Sequence, residues 1–198
     1  MKTFARCLFV ATLLAWAVSG ADAARYEIDA VHSSVGFKVR HMVISKTSGV
    51  FGKFSGWFDF DPKDAKGKSW KTETEIEVAS VDTGNGKRDA HLRSADFFDV
   101  ENHPKMIFRS TKIERKGDDL YLIGDLTLRG TTKTVRLTLE SHGTVEDQQG
   151  NLHAGFTATG KINRQDFGVS FNKVLETGGL VVDNTVEITL EIEGIEKK

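Results

Sequence analysis

Apolar and polar residues alternate with a period of two along most of this chain, the mark of strands with one dry face and one wet face. Val31, Ser33, Val35, Phe37, Val39 and His41 share one parity, against His32, Ser34, Lys38 and Arg40 on the other. Phe54, Gly56, Phe58 and Phe60 repeat the pattern, and Thr74, Ile76 and Val78 alternate with Glu73, Glu75 and Glu77. Met106 and Phe108 open a further strand after Pro104. Leu120 to Leu128, Val135 to Leu139, Ala154 to Ile162 and Val186 to Ile192 supply four more faces. The spacing predicts eight strands. They are separated by turn signals at Asp61-Pro62, Lys116-Gly117-Asp118, Arg129-Gly130, Gln149-Gly150-Asn151 and Gly178-Gly179. Antiparallel sheets with a single buried face form sandwiches or closed barrels. No repeat, linker or low-complexity tract divides the chain, so one domain is expected.

One stretch breaks the alternation. Residues 87–100 read as a compact helical insert, with Ser94 placed to cap a short turn carrying Phe97 and Phe98. Two readings stay open for it. Asp89 and Arg93 form an i,i+4 pair on a solvated helix, or Leu92, Phe97 and Phe98 plug the barrel while Arg88 or His91 meets a ligand's polar head.

The inward faces also leave two readings open, because they mix large aromatic residues with Gly56, Gly124, Ala154, Ala158 and Gly160. The small residues either relieve strain at bends, with Phe neighbours filling the gaps, or leave an elongated apolar channel. In the second case Phe37, Phe58, Phe156 and Leu126 are the expected wall, with Val39, Ile76, Phe108 and Ala158 on the same faces.

Length and composition narrow the function classes. Lys2 and Arg6, an uncharged apolar run over 7–19 and then Ala21-Asp22-Ala23 form a secretory signal peptide of residues 1–23, too short for a comfortable membrane span. Its removal leaves residues 24–198 as the mature domain and takes away Cys7, the single Cys. The expected product is an exported, soluble protein without a disulfide or thiol nucleophile, held by its core. Lys and Arg number 27 against 28 Asp and Glu, which provides neither a basic stripe for nucleic acid nor a polybasic membrane anchor. The six His show no HxH or HExxH spacing, and His32 and His41 face opposite sides of one regular strand, so no metal site is expected. No G-x-S-x-G elbow is present, and Asp29 with His32, or Asp166 with Arg164, reads as readily as a structural ion pair as an acid–base pair. The glycine pairs at 49–52 and 84–86 are turns, since neither joins a strand to a long helix as a phosphate loop does.

Several segments together resemble the YceI-like family of exported, lipocalin-like proteins regarded as polyisoprenoid-binding. They are YEIDAVHSSVGFKVRH (26–41), GVFGKFSGWFDFD (49–61) and SVDTGNGKRDAHLRSADFFDVENHPKMIF (80–108), followed by GDLTLRGTTKTV (124–135), INRQDFGV (162–169) and VVDNTVEITLEIE (181–193). The likeness runs through essentially all of the mature chain in order, and 80–108 with INRQDFG are its specific blocks. It implies an all-β fold, an eight-stranded antiparallel lipocalin-like barrel with a short helical insert, enclosing a long apolar ligand such as an isoprenoid chain or isoprenoid quinone. Motif positions carried over by the resemblance are Asp29, His32, His41, Arg88, Asp89, His91, Phe97, Phe98, Arg164, Asp166 and Phe167.

The resulting expectation is a periplasmic, non-enzymatic carrier of a polyisoprenoid or other long-chain lipid, with no further cofactor; a homodimer is left open. Two other classes compete with it. An enzyme on a small apolar substrate would use Arg88, His91 or Asp166, and a partner-binding barrel would have a packed interior.

Overall fold

The computed structural model describes residues 23–173 and 181–198. The expected signal peptide, apart from Ala23, and the expected Gly178-Gly179 turn lie outside the described residues. Eleven strands build one antiparallel sheet. In chain order they are β1 (Ala24–Ile28), β2 (Ser34–His41), β3 (Ser45–Phe51), β4 (Phe54–Phe60), β5 (Lys71–Glu77) and β6 (Val81–Asp82). The helix α1 (Gly86–Arg93) follows, then β7 (Lys105–Lys116), β8 (Asp119–Leu128), β9 (Thr131–Glu146), β10 (Leu152–Asn163) and β11 (Val182–Glu196). The ring β1-β4-β5-β7-β8-β9-β10-β11 closes because β11 also pairs with β1, giving an eight-stranded barrel.

The three remaining strands extend walls already counted. β11 meets β1 at Ile28↔Gly194 and β2 at Ser34↔Glu191, so β1 and β2 form one wall interrupted at 29–33. β3 and β4 form a second, broken at 52–53, and a 3₁₀ turn at Val78–Ser80 separates β5 from β6. The eight expected strands therefore fall one on each wall. The expected parity fails at Val31, which is exposed because 29–33 leaves the ladder. There the Ser33 hydroxyl accepts from the Glu193 amide at 2.9 Å, replacing the missing backbone bond.

Apolar packing closes both ends. At one end Tyr26 stacks on Phe58 with centroids 5.1 Å apart, and Phe60 meets Trp70 and Phe156 edge-on at 4.7 and 4.9 Å. At the other, Phe97 packs with Phe51, Val78, Val81, Phe167 and Val169, while Leu92 and Phe98 lean on the same cluster. Of the two readings of the insert, the plug is the one adopted. Asn85 starts the helix, accepting from the Arg88 amide, and Ser94 ends it, donating to the His91 carbonyl. As expected, Ser94 also opens the turn that carries Phe97 and Phe98, its hydroxyl accepting from the Asp96 amide at 3.4 Å and its carbonyl from the Phe97 amide at 3.1 Å. Asp89 is buried and bonded to Thr83, so it is no solvated partner of Arg93.

Candidate functional site: an apolar cavity along the barrel axis

Between the two ends lies a cavity of about 230 Å³. Its lining on β8 runs from Leu122 to Leu128, about 20 Å of strand at 3.3 Å per residue, or about 15 Å along the axis at the usual barrel tilt. The alternation that places Leu122, Leu126 and Leu128 inward leaves Asp125 and Thr127 to the outer face, where Asp125 accepts from the Thr134 hydroxyl. The wall is thus a direct product of strand periodicity.

Eleven of the expected ligand-binding residues line this space. Phe37, Val39, Phe58 and Ile76 do so from the first three walls; Phe108, Leu126, Phe156 and Ala158 do so from β7, β8 and β10; Leu92, Phe97 and Phe98 form the plug. Four are placed elsewhere. Phe167 is fully buried behind the plug, with Val169 and Phe97 in its cluster. His41 ends β2, half-buried, opposite Val182. Arg88 is turned to Thr83, donating from Nε to the hydroxyl at 2.7 Å and from Nη2 to the carbonyl at 2.8 Å. His91 is bonded through Nε2 to Asp96 and packs edge-on against Phe97 and Phe171, with centroids 5.0 and 4.9 Å away. Neither Arg88 nor His91 reaches the cavity to meet a headgroup.

Sequence reasoning left out Trp70, Met106, Leu139 and Ile188, which also line the cavity. Leu139 and Ile188 stand on faces with readable alternation and could have been named from it. Trp70 ends the loop after Asp61-Pro62, outside any periodic run, and its Nε1 is fixed by the Asp61 carbonyl at 3.0 Å.

The polar motif residues work as staples. Thr83 is clamped by Asp89 and Arg88, and the hydrogen bond from its hydroxyl holds the Asp89 carboxyl below the ordinary carboxylate range. Arg93 donates to the Ala79 and Val81 carbonyls, both at 2.7 Å, which ties α1 to β6. Arg164 is only 4% exposed and does not pair with Asp166. Its guanidinium donates to the carbonyls of Val169 (2.7 Å), Phe171 (2.9 Å) and Asp183 (2.9 Å), and burial pulls its pKa down. The INRQDFG block thus knits the plug end to the start of β11.

Outside the barrel, Asp29 and His32 form the expected ion pair at 2.7 Å, which lowers the carboxyl and raises the imidazole. His153 bridges Asp147 at 3.1 Å and Glu193 at 2.8 Å and is raised, first by Asp147. Donor atoms of Asp29, His32 and Glu193 lie within 4.8 Å of one another, close enough to share an ion, although each belongs to the ion-pair chain just described. Among the described residues no helix is long and apolar enough to cross a membrane.

Known proteins place this architecture. The sequence profile of the YceI-like domain matches residues 26–194. Protein YceI of Escherichia coli O17:K52:H18 is 37% identical over 198 residues, covering 99% of this chain and 96% of that protein. Among solved structures, Burkholderia cenocepacia BcnA matches with TM-score 0.71 and 26% identity over 84% of this chain and 98% of its own. The Campylobacter jejuni YceI protein matches with TM-score 0.67 and 32% identity over 80% of this chain and 90% of its own. A polyisoprenoid binding domain from Saccharophagus degradans shares the fold, with TM-score 0.61 at 16% identity over 88% of this chain and 99% of its own. With its profile matched from one end of the barrel to the other, the chain belongs to the YceI-like family.

Proposed function

We propose that this protein binds a long-chain apolar lipid, of the polyisoprenoid or isoprenoid-quinone class, in the barrel interior, and that it carries or sequesters that lipid in the periplasm. The observation that carries the reading is the elongated cavity walled almost throughout by Phe, Leu, Ile and Val side chains. Each methylene withdrawn from water there contributes about 0.8 kcal/mol, so a long chain binds tightly with few polar contacts. The ligand class is suggested by the Saccharophagus degradans relative of the fold, and the compartment by the signal peptide expected over residues 1–23. The enzymatic alternative loses its candidates: Arg88 and His91 are engaged outside the cavity, and Asp166 is not among the lining residues.

Trp70 stands in the cavity wall, whereas Trp57 lies outside under Arg25, with the guanidinium 3.6 Å from its ring centroid. A long-chain quinone is therefore expected to quench Trp70 emission saturably in a Trp57→Phe variant. No response from Trp70 to a quinone or to a long-chain prenol would contradict interior binding.

A further inference from the structure

The β2–β3 hairpin carries a turn that neither turn chemistry nor solubility accounts for. The Ile44 amide donates to the His41 carbonyl at 3.2 Å, and the two central residues, Met42 and Val43, stand at φ 49° and 66°. His41 pairs with Ser45, so the loop has three residues. Two successive positive φ values are ordinarily taken by Gly, Asn or Asp, and a β-branched residue is among the least suited to them. Yet this turn holds Met42, Val43 and Ile44 toward solvent, 40%, 61% and 85% exposed. Local preference and contact with water both oppose the sequence, and such conflicts mark places where another function is served.

Its surroundings indicate what covers it. Below the tip, Lys38, Arg40, Lys46 and Lys161 share an outer groove with Asp183 and Glu187, an excess of two positive charges on a chain whose formal net charge is −1. Arg40 donates to the Val43 carbonyl at 3.0 Å, which sets a guanidinium against the apolar tip, and Lys46 is paired with Glu187. The tip also adjoins the cavity: Val39 lines it two residues before His41, and Val182, which pairs with His41, lines it too. An apolar tip above basic side chains is complementary to acyl chains beneath anionic headgroups.

We propose that the Met42-Val43-Ile44 tip inserts reversibly into an anionic phospholipid bilayer, with Arg40 and its basic neighbours against the headgroups, setting the plug end of the barrel at the membrane. The purpose of this contact rests on the lipid-carrier reading; its test does not. Three side chains give shallow attachment, suited to a carrier that must leave again.

The test is co-sedimentation of the purified protein with vesicles of phosphatidylethanolamine and phosphatidylglycerol, beside vesicles of phosphatidylcholine alone, at low and high salt. Binding to the anionic vesicles is expected, weakening as salt screens the basic groups. The triple variant Met42→Asn, Val43→Gly, Ile44→Thr refills the turn with residues its geometry favours. It is expected to melt at a higher temperature than the wild type and to take up a long-chain prenol from detergent unchanged, while vesicle affinity falls at least about tenfold. Undiminished vesicle binding by this variant overturns the proposal. So does a wild-type protein that ignores vesicles, whether or not the tip captures another protein instead. Prenol uptake is read separately: its absence in the wild type sinks the carrier reading, and the vesicle result still decides the role of the tip.

Discussion

The Phe108 ring lies over Gly124 on the neighbouring strand, so close that a Cβ at Gly124 would stand 2.7 Å from Phe108 Cε2 and 2.5 Å from the Arg109 carbonyl. Phe58 over Gly194 and Phe37 over Gly49 repeat the arrangement, and all three rings line the cavity. The glycines let the rings lie along the wall instead of across the lumen. Among the small inward residues expected from the sequence, Gly124 serves both readings at once, its gap filled by a neighbouring ring while the axis stays open; Gly56 instead meets the Glu73 carbonyl and Thr74, and Gly160 meets Leu137. Gly124→Ala is expected to push Phe108 inward, costing about 1–3 kcal/mol on urea denaturation and weakening lipid uptake. Adding Phe108→Leu is expected to restore part of both, and a Gly124→Ala protein of unchanged stability would refute the packing argument.

Ala158 tests the lumen from the opposite side. It pairs with Leu139 and Leu190 across its two ladders and lines the cavity at 4% exposure. Ala158→Phe is expected to abolish binding of a long-chain prenol, while circular dichroism still reports a folded β protein. Undiminished uptake would mean that the ligand lies elsewhere.

Much of this was legible in the sequence, for a physical reason. Each wall has one dry face, so parity alone located all eight walls and eight of the wall-lining side chains. What parity cannot show is where a wall leaves the ladder. Val31 obeys the alternation and is still exposed, because the 29–33 interruption is set by how β11 is shared between β1 and β2. The polar motif residues were visible as types but not as roles. Arg88, Arg93 and Arg164 find their partners chiefly in backbone carbonyls, which any residue supplies and no pattern announces.

Arg164 is expected to be the costliest of the staples to remove. Arg164→Met leaves the Val169, Phe171 and Asp183 carbonyls without their donor and is expected to destabilise the protein by about 2–4 kcal/mol. Asp166→Asn, by contrast, touches none of these bonds and is expected to be near neutral. Equal losses in the two variants would restore the ion-pair reading of this motif.

The histidine network outside the barrel makes stability depend on pH. His153 and His32 are raised by their carboxylate partners, so their contribution is complete below the unfolded value near 6.5 and disappears as pH rises through the higher folded values. Asp147 and Asp29 are held low, so theirs is present above roughly pH 4 and is lost on acidification. Melting temperature is therefore expected to peak between about pH 4 and 6.5 and to fall on the alkaline side. His153→Asn is expected to flatten that alkaline fall; an unchanged slope would remove His153 from the linkage.

The central claim is that the barrel interior holds a long isoprenoid chain. Its most direct test is to purify the protein from a bacterial periplasm without detergent, extract it with organic solvent and identify the extract by mass spectrometry, with Ala158→Phe treated in parallel. The expected result is a near-stoichiometric isoprenoid alcohol or quinone from the wild type and none from the variant. An extract empty of long-chain lipid, or the same lipid at equal yield from both proteins, would contradict it.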